Sequence, residues 1–346
     1  MSDVVLLSLG TTLGWRVSDS LFVDQLRRAG VGVAPVSVRV GASGRLRRAY
    51  PVTDLVEAAA ARRALAAALT RHSPRAVVIS TTTAAMLADT RGLPYAVRLD
   101  APACLNRPGA LNAGLHALER RALAGARLVL PWSEAAGAAL PVGHAPAIVV
   151  PPPIEQSGDR PWRRDRLAVA YTPDVKAKGL DIVCGAWAAA GLGEARLEVF
   201  GVERERALAH LSRTGTALPP AVEFRGKAPP DEFRSALRRA HAYVGGARWE
   251  DYGQAPLEAL ADGALVATVP SGGPFEALGL ARELAPQLVA GSVAAEPLAT
   301  ALRAAFELPE QDVESYRERA ARLLDRFRPA AVERTVAAEV VPRLLG

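Results

Sequence analysis

Short apolar runs alternate with helix-like segments along the 346-residue chain, and this alternation restricts the fold more than any other feature. The first runs are Val4 to Leu9, Val31 to Val38 and Ala76 to Ser80, with a helix predicted from Ser18, as its N-cap, to Arg28. Short apolar strands separated by helices are typical of parallel sheets that are covered on both faces. The pattern therefore predicts an α/β protein built from Rossmann-like, doubly wound parallel sheets.

A run of three prolines divides this pattern. Pro151 to Pro153 follows a predicted strand over Ile148 to Val150, and the alternation restarts with a predicted strand from Leu167 to Tyr171. Proline lacks an N–H and interrupts regular structure. We expect an N-terminal domain over residues 1–153 and a second domain over residues 154–325. A final helix is expected over residues 326–346, and its return to the N-terminal domain stays open.

Composition excludes several classes of protein. No stretch approaches the roughly 20 apolar residues of a membrane span, and the start lacks a signal-peptide pattern. The two cysteines and five histidines show no metal-ligand spacing, so neither a structural metal nor a disulfide is expected. The net charge of +6 is spread along the chain, which favours a solvated surface over a nucleic-acid-binding site. We expect a cytoplasmic protein without a cofactor; peripheral membrane contact and the oligomeric state stay open.

Two glutamates in one segment, Glu250 and Glu258, are the strongest candidates for a functional site. Seven residues separate them, with Pro256 near the start of a predicted helix and Gly263 just after its end. The backbone amides of Asp251, Tyr252 and Gly253 precede this helix, whose N-terminus favours an anion such as a diphosphate. By themselves, two glutamates at this spacing are usually ordinary exposed acids. The glycine, proline and small residues around them favour a site.

This segment resembles the signature of the retaining glycosyltransferases of family four, which is a glutamate, seven residues, and a second glutamate followed by alanine and glycine positions. Lys178-Gly179 resembles the lysine-glycine motif of that family, and Val222 to Gly226 resembles another of its strands. The resemblance covers most of residues 148–285. It implies the GT-B type of fold, with an N-terminal acceptor domain and a C-terminal donor domain facing a cleft.

The resemblance also implies roles for the charged residues. Glu250 is expected to hold a hydroxyl of the donor sugar, Glu258 the ribose hydroxyls, and Lys178 the diphosphate. The chain departs from the family at two places: Gly245-Gly246 replaces a Pro-Ser pair, and the arginine that usually precedes the lysine is absent. Lys176 is the candidate replacement for that arginine.

Weaker candidates lie at glycines and at one aspartate. Gly10 and Gly14 resemble a loop that closes over the donor diphosphate, although the segment is not a GxGxxG motif. Asp100 stands where many members of the family have a sugar-contacting pair, and a structural aspartate in a turn is the alternative. Gly226 is a further donor-site candidate from the resemblance. Gly272-Gly273 resembles a phosphate-binding glycine loop, and a plain turn before a helix explains it equally well.

These features predict transfer of a sugar, with retention and without an essential metal, from a nucleotide-diphosphate sugar to an unidentified acceptor. A small natural product, a lipid-linked sugar and a glycan are all open as acceptors. The alternative is a catalytically silent protein of the same fold that binds a nucleotide sugar or assists another enzyme.

Overall fold

The computed structural model describes residues 2–39, 51–159 and 165–346. Over these residues the chain divides into two compact units. Unit 1 comprises Met1–Pro153 and Phe327–Gly346, and unit 2 comprises Ile154–Arg326. No helix in the described ranges is both long and apolar enough to cross a membrane.

Unit 1 is built on a five-stranded sheet in which every pair of neighbouring strands is parallel. The strands are β1 (Val4–Ser8), β2 (Val33–Ser37), β3 (Ala76–Ser80), β4 (Tyr95–Leu99) and β5 (Leu128–Pro131). Their order across the sheet is β2-β1-β3-β4-β5. Strand β2 thus lies on one side of β1 and β3 on the other, and the chain crosses back over β1 between β2 and β3. The crevice between the carboxyl ends of β1 and β3 is the topological switch point of this sheet.

Helices cover both faces of this sheet because its strands are apolar on both faces. The helices before Pro153 are α1 (Leu13–Arg28), α2 (Val52–His72), α3 (Thr82–Ala85), α4 (Ala103–Asn106), α5 (Ala113–Ala124) and α6 (Glu134–Ala138). In β1, Val5 and Leu7 belong to the core that Leu65 of α2 shares, whereas Leu6 belongs to the opposite core with Phe22 of α1. This alternation is the period of two that an extended strand imposes.

Unit 2 repeats the architecture with a second five-stranded parallel sheet. Its strands are β6 (Asp165–Tyr171), β7 (Arg196–Phe200), β8 (Val222–Gly226), β9 (Ala240–Gly245) and β10 (Leu265–Thr268). The order is β10-β9-β6-β7-β8, so the switch point lies between β6 and β9. The helices are α7 (Leu180–Ala190), α8 (Arg204–Thr214), α9 (Pro230–Arg239), α10 (Gln254–Ala261), α11 (Glu276–Leu284), α12 (Ala295–Glu307) and α13 (Glu310–Leu323). The predicted α/β class with doubly wound parallel sheets is therefore confirmed.

The C-terminal segment belongs to unit 1. It contains α14 (Pro329–Thr335), a π-helical turn (Val336–Val340) and α15 (Val341–Leu345). Val332, Val336, Val340 and Leu344 are buried in the core that also contains Phe22. Their spacing of four residues places them on one face of the helical segment, which is why this face packs against the apolar core.

Two local predictions were wrong. Helix α1 begins at Leu13 with Thr12 as its N-cap, and Thr12 accepts a hydrogen bond from the Trp15 amide at 3.2 Å. Ser18, the predicted cap, lies inside the helix and is fully buried. The segment Ile148 to Val150 is not a strand: only an isolated bridge joins Ala147 to Val129 beside it. Ile148 and Val150 donate to the Val129 and Pro131 carbonyls of β5 at 3.0 and 2.9 Å, but Pro131 has no N–H with which to return a bond, so the pairing ends at this bridge.

Candidate functional site

The candidate site lies at the switch point of unit 2, where β6 and β9 end. Tyr171 and Thr172 at the end of β6 and Gly245 to Ala247 at the end of β9 line a small pocket there. Lys178 and Glu250 also line it. Ligands of doubly wound sheets bind beyond the carboxyl ends of the strands at this point. The topology therefore places Lys178 and Glu250, two of the predicted site residues, where a ligand is expected.

Lys178 and Glu250 form an ion pair within this pocket. Lys178 Nζ lies 2.6 Å from Glu250 Oε1, and the two side chains are 25% and 15% exposed. Lys178 lies on the loop between β6 and α7, and its amide donates to the Asp174 carbonyl at 2.8 Å. Both charges are partly withdrawn from water, so their attraction is stronger than that of an exposed pair.

Two glycines let the loops that carry this pair come together. A Cβ added to Gly179 would collide with the Gly246 carbonyl oxygen, and one added to Gly246 would lie 2.8 Å from Val183 Cγ2. Gly179 also has a φ of +61°, which residues other than glycine rarely adopt. Gly245-Gly246, which departs from the Pro-Ser pair of the resembled family, thus has a steric role in this chain.

Arg248, which the sequence analysis did not identify, connects the same two loops by hydrogen bonds. Its guanidinium donates to both carboxylate oxygens of Asp181, at 3.0 and 2.6 Å, and to the Lys176 carbonyl at 3.0 Å. Its amide donates to the Ala177 carbonyl at 2.9 Å. His210 Nε2 lies 3.2 Å from Asp181 Oδ1. Burial alone would raise the pKa of Asp181, but the hydrogen bonds from Arg248 and His210 outweigh it and lower that pKa.

Lys176 does not join the pocket lining, although the sequence offered it as a replacement for an arginine. Its side chain is exposed, and its amide donates to Asp174 Oδ1 at 3.1 Å. Among the described residues, Lys178 is the only lysine or arginine that lines the pocket. Lys176, the predicted replacement for the family's arginine, therefore faces solvent in this structure.

Glu258 projects from α10, as the spacing predicts. Its Oε1 accepts a hydrogen bond from Gln254 Nε2 at 3.0 Å. Burial raises the pKa of the Glu258 carboxyl, and nearby Asp262 adds to this effect. Arg234 and the bond from Gln254 oppose it without reversing it. Ionised Glu258 thus lacks part of the solvation that a carboxylate has in water, and donors from a ligand would supply it.

The first turn of α10 has free donors. The helix begins at Gln254, with Gly253 as its N-cap at a φ of +86°. An α-helix leaves the N–H groups of its N-cap and first turn without intrahelical acceptors, here those of Gly253, Gln254 and Ala255, since Pro256 has none. Asp251, Tyr252 and Gly253 were predicted to offer their amides to an anion, and of these Gly253 belongs to this set of donors. Tyr252 is buried, and Asp251 Oδ1 accepts from Trp249 Nε1 at 2.8 Å.

Gly272 and Gly273 support Glu250 through the backbone. The Gly272 carbonyl accepts from the Glu250 amide at 2.9 Å. Gly273 has a φ of +98°, and a Cβ there would collide with the Glu250 carbonyl. Gly273 is thus needed for the close approach of this turn to the loop that carries Glu250, whereas a Cβ on Gly272 would lie 3.0 Å from Trp249 Cε3.

Gly226 lies apart from the pocket. It ends β8, the edge strand that is separated from β6 by β7, and it does not line the pocket. Its carbonyl accepts from the Gly201 amide at 2.7 Å, and its φ is +65°. The structure therefore does not bring Gly226 together with Lys178 and Glu250.

The unit 1 candidates lie at the carboxyl ends of β1 and β4. Gly10 has a φ of +53°, and its carbonyl accepts from Arg16 Nη1 at 3.0 Å. Gly14 lies in the first turn of α1, so the predicted loop from Gly10 to Gly14 is shorter than expected. Asp100 Oδ1 accepts from the Ala101 amide at 2.8 Å.

The switch point of unit 1 is filled by its own side chains. Arg98, which is 1% exposed, donates to Asp19 Oδ1 at 2.7 Å, and its guanidinium lies 4.2 Å from the centre of the Phe22 ring. Ser8 and Ser80, the last residues of β1 and β3, also donate to the Asp19 carboxylate. The crevice of unit 1 is thus occupied by a buried ion pair, whereas the Lys178–Glu250 pair of unit 2 is partly exposed and lines a pocket.

Within the described ranges, no three histidine, cysteine, aspartate or glutamate side chains form a group that could hold a metal ion.

Comparisons with known proteins bear on the fold and on the sequence of residues 162–322. No curated protein sequence matches the chain. Its fold is similar to that of sucrose-phosphate synthase from Thermosynechococcus elongatus, with a TM-score of 0.78, 15% identity and 99% coverage of both chains. It is also similar to a UDP-forming trehalose-phosphate synthase from Burkholderia xenovorans, with a TM-score of 0.73, 12% identity and 99% coverage of both chains.

A third similar structure is that of Anabaena Alr3699/HepE in complex with UDP and glucose, with a TM-score of 0.72 and 13% identity over 99% of this chain and 100% of that one. At these identities the similarities establish the fold, which is of the GT-B type. Residues 162–322 match the family described as "Glycosyl transferases group 1". This segment contains Lys178, Glu250 and Glu258. Residues 162–322 are thus similar in sequence to the glycosyl transferases group 1 family, in a chain with the GT-B fold.

Proposed function

We propose that this protein transfers a sugar from a nucleoside-diphosphate sugar to an acceptor. The observation that carries the proposal is the Lys178–Glu250 pair, 2.6 Å apart, in the switch-point pocket of a group 1 glycosyltransferase domain. A cation there suits a diphosphate leaving group, and a carboxylate beside it suits a sugar hydroxyl.

Lys178 is assigned to the diphosphate. As the glycosidic bond to the donor sugar breaks, negative charge develops on the diphosphate, and a positioned ammonium stabilises that charge. The N–H groups of Gly253, Gln254 and Ala255 at the start of α10 are a second source of positive potential. In this role the diphosphate competes with Glu250 for the Lys178 ammonium.

The two glutamates are assigned to hydroxyl groups. Glu250 accepts from a hydroxyl of the donor sugar, and Glu258 accepts from the ribose hydroxyls. The raised pKa of Glu258 supports its role, because a partly desolvated carboxylate gains more from two hydroxyl donors than a hydrated one does. Retention at the anomeric carbon and a reaction without an essential metal are further parts of the proposal, which rest on the resemblance to family four.

Uridine is the first nucleotide to test, because structures of similar fold are described as complexes with UDP and glucose or with UDP-glucose. We assign the acceptor to unit 1 and the donor to unit 2. The chemical class of the acceptor stays open among a small natural product, a lipid-linked sugar and a glycan.

The test is a binding and turnover experiment with purified protein. Melting temperature is measured with UDP, GDP, ADP and dTDP and with their glucose or mannose conjugates, since a ligand that binds the native state raises it. Release of nucleoside diphosphate from the conjugates is then followed with and without candidate acceptors. A flat thermal response to all four diphosphates would contradict the donor site, and product analysis by NMR would show whether the anomeric configuration is retained.

A second candidate is a silent nucleotide-sugar-binding protein. It is favoured by one observation: the other basic side chains of this region face elsewhere, since Lys176 is exposed and Arg248 is paired with Asp181. A thermal shift with a nucleotide sugar, combined with neither transfer nor hydrolysis over long incubation, would favour this candidate. Turnover would exclude it.

A further inference from the structure

Thr172 is a pocket residue to which neither the sequence nor the proposed function gives a role. It follows the last residue of β6, its side chain is 1% exposed, and it lines the pocket with Lys178 and Glu250. Its amide donates to the Phe200 carbonyl at 2.8 Å. Its hydroxyl, by contrast, has no hydrogen-bond partner among the described residues.

A second threonine in the same pocket shows the usual behaviour of a buried hydroxyl. Thr268 is also 1% exposed and lines the pocket, and its hydroxyl donates to the Gly245 carbonyl at 3.3 Å. Most buried side-chain polar atoms in folded proteins have at least one hydrogen-bond partner, because a buried group without one loses its hydrogen bonds to water and gains none in their place. The unsatisfied hydroxyl of Thr172 therefore points to a partner outside the chain.

The place of Thr172 in the fold indicates what that partner is. Thr172 opens the loop between β6 and α7, and Lys178 lies near the end of the same loop. This loop follows the first strand of unit 2, at the switch point, where the first strand-to-helix turn of a doubly wound sheet binds phosphate groups. A hydroxyl has one proton to donate, and an anionic phosphate oxygen is a stronger acceptor than a neutral hydroxyl.

We infer that Thr172 is a diphosphate-binding residue, whose hydroxyl donates to an anionic oxygen of the nucleotide beside the Lys178 ammonium. The inference rests on the proposed function, because it assumes that this pocket binds a nucleoside diphosphate. It supplies a second side-chain contact to the diphosphate at a site where Lys176 supplies none.

The test replaces Thr172 by valine, which keeps the branched shape and removes the hydroxyl, and by serine, which keeps the hydroxyl. Melting temperature and dissociation constants are measured with UDP, GDP, ADP and dTDP. Since the hydroxyl has no partner among the described residues, Thr172→Val should melt at the same temperature as wild type or higher without nucleotide. It should bind the diphosphate that wild type prefers about tenfold more weakly or worse, the effect of one hydrogen bond to a charged group.

Thr172→Ser should keep most of the affinity. The matched control is Thr335→Val in unit 1, whose hydroxyl donates to the Ala331 carbonyl at 3.3 Å and which should bind nucleotide like wild type. Equal affinity of wild type and Thr172→Val for the diphosphate would overturn the inference alone. So would a loss seen with the nucleotide sugar but not with the diphosphate, because it would place the hydroxyl on the sugar. A wild-type protein that responds to none of the four diphosphates would overturn the proposed function, and the inference with it.

Discussion

Lys178 Nζ and Glu250 Oε1 lie 2.6 Å apart, although 72 positions separate the two residues in the sequence. In the proposed function each belongs to a different part of the donor, the lysine to the diphosphate and the glutamate to the sugar. Binding of the diphosphate would take the ammonium from Glu250 and leave its carboxylate to accept from a sugar hydroxyl. In that function the donor opens the ion pair, and we expect both members to be needed for turnover.

Lys178→Ala should therefore reduce the rate of sugar transfer by about a hundredfold or more, the usual effect of removing a group that stabilises developing charge. Steady-state release of nucleoside diphosphate measures this effect. Lys227→Ala is the matched control, because Lys227 is exposed and does not line the pocket. Lys176→Ala should behave like the control, within about threefold of wild type, because surface substitutions cost little. A large loss in Lys176→Ala would show that this lysine reaches the diphosphate after all.

Glu258→Gln should stabilise the protein while weakening nucleotide binding. The pKa of Glu258 is raised in the folded state, so the folded protein holds this proton more tightly than the unfolded chain does. Its contribution to stability is therefore most favourable at low pH and declines as pH rises past the ordinary value of 4.5. The gain from Glu258→Gln should accordingly be larger at pH 7 than at pH 4.

Urea unfolding at the two pH values measures this gain, and isothermal titration with the preferred diphosphate measures binding. Glu318→Gln, at an exposed position on α13, is the control for removing a negative charge from a protein with a net charge of +6. If Glu258→Gln were less stable than wild type at pH 7, the contacts with Gln254 and Arg234 would outweigh the loss of solvation, and the assignment to ribose hydroxyls would lose its physical basis.

Arg248→Ala should impair turnover although Arg248 is not assigned to the donor. The guanidinium joins Asp181 to the Lys176 carbonyl, so its removal would loosen the loop that holds Lys178 opposite Glu250. We expect a decrease in kcat of about tenfold, since small displacements of a catalytic group are costly. Arg248→Lys should restore little, because one ammonium cannot repeat the two-point contact with Asp181.

Arg225→Ala is the matched control for Arg248→Ala, because Arg225 also contacts two acceptors, Glu223 and Glu232, but lies on the edge strand β8. If Arg248→Ala lowered the melting temperature but left kcat normal below the melting transition, Arg248 would stabilise the fold without positioning Lys178.

The residues differ in how far the sequence could predict them. The strands of both sheets and the helix after Glu250 follow from apolar periodicity and from proline and glycine positions, which are local properties. The GT-B fold and the glycosyltransferase character of residues 162–322 were predicted from the resemblance of the segments Glu250 to Gly263 and Lys178-Gly179 to family four. Arg248–Asp181 and Arg98–Asp19 were missed because 67 and 79 positions separate the partners, and ordinary arginines and aspartates have no local pattern.

Thr172 was missed for a different reason. Its significance is the absence of a partner for a buried hydroxyl within the described chain, which only coordinates can show. The strand predicted at Ile148 to Val150 was wrong because the neighbouring strand β5 ends in Pro131, which accepts from the Val150 amide but has no N–H to donate in return. Roles of individual site residues stay predictions, and the variants described here test them.

Gly246→Ala tests whether the close approach of the two loops matters. The added Cβ would lie 2.8 Å from Val183 Cγ2 and 2.9 Å from the Gly179 carbonyl oxygen, so either the fold or the distance between the loops must change. We expect a loss of about 1–3 kcal/mol in the free energy of unfolding, as for other overpacked sites, together with reduced turnover. Gly279→Ala is the matched control: it lies within α11, a Cβ there has no neighbour within 4 Å, and alanine should stabilise the helix by about 0.5–1 kcal/mol.

Arg98 provides the last prediction, in unit 1. Its guanidinium is buried against Phe22, and burial lowers its pKa while Asp19 opposes that effect. Arg98→Met should cost about 3–5 kcal/mol in the free energy of unfolding, because it leaves the Asp19 carboxylate buried and uncompensated in charge, with the hydroxyls of Ser8 and Ser80 as its donors among the described residues. Combining Arg98→Met with Asp19→Asn removes both charges and should recover a large part of this loss. Urea unfolding of the single and double variants measures the coupling. If the double variant were as unstable as the sum of the two single changes, the two side chains would act independently, and the ion pair would not be what fills the switch point of unit 1.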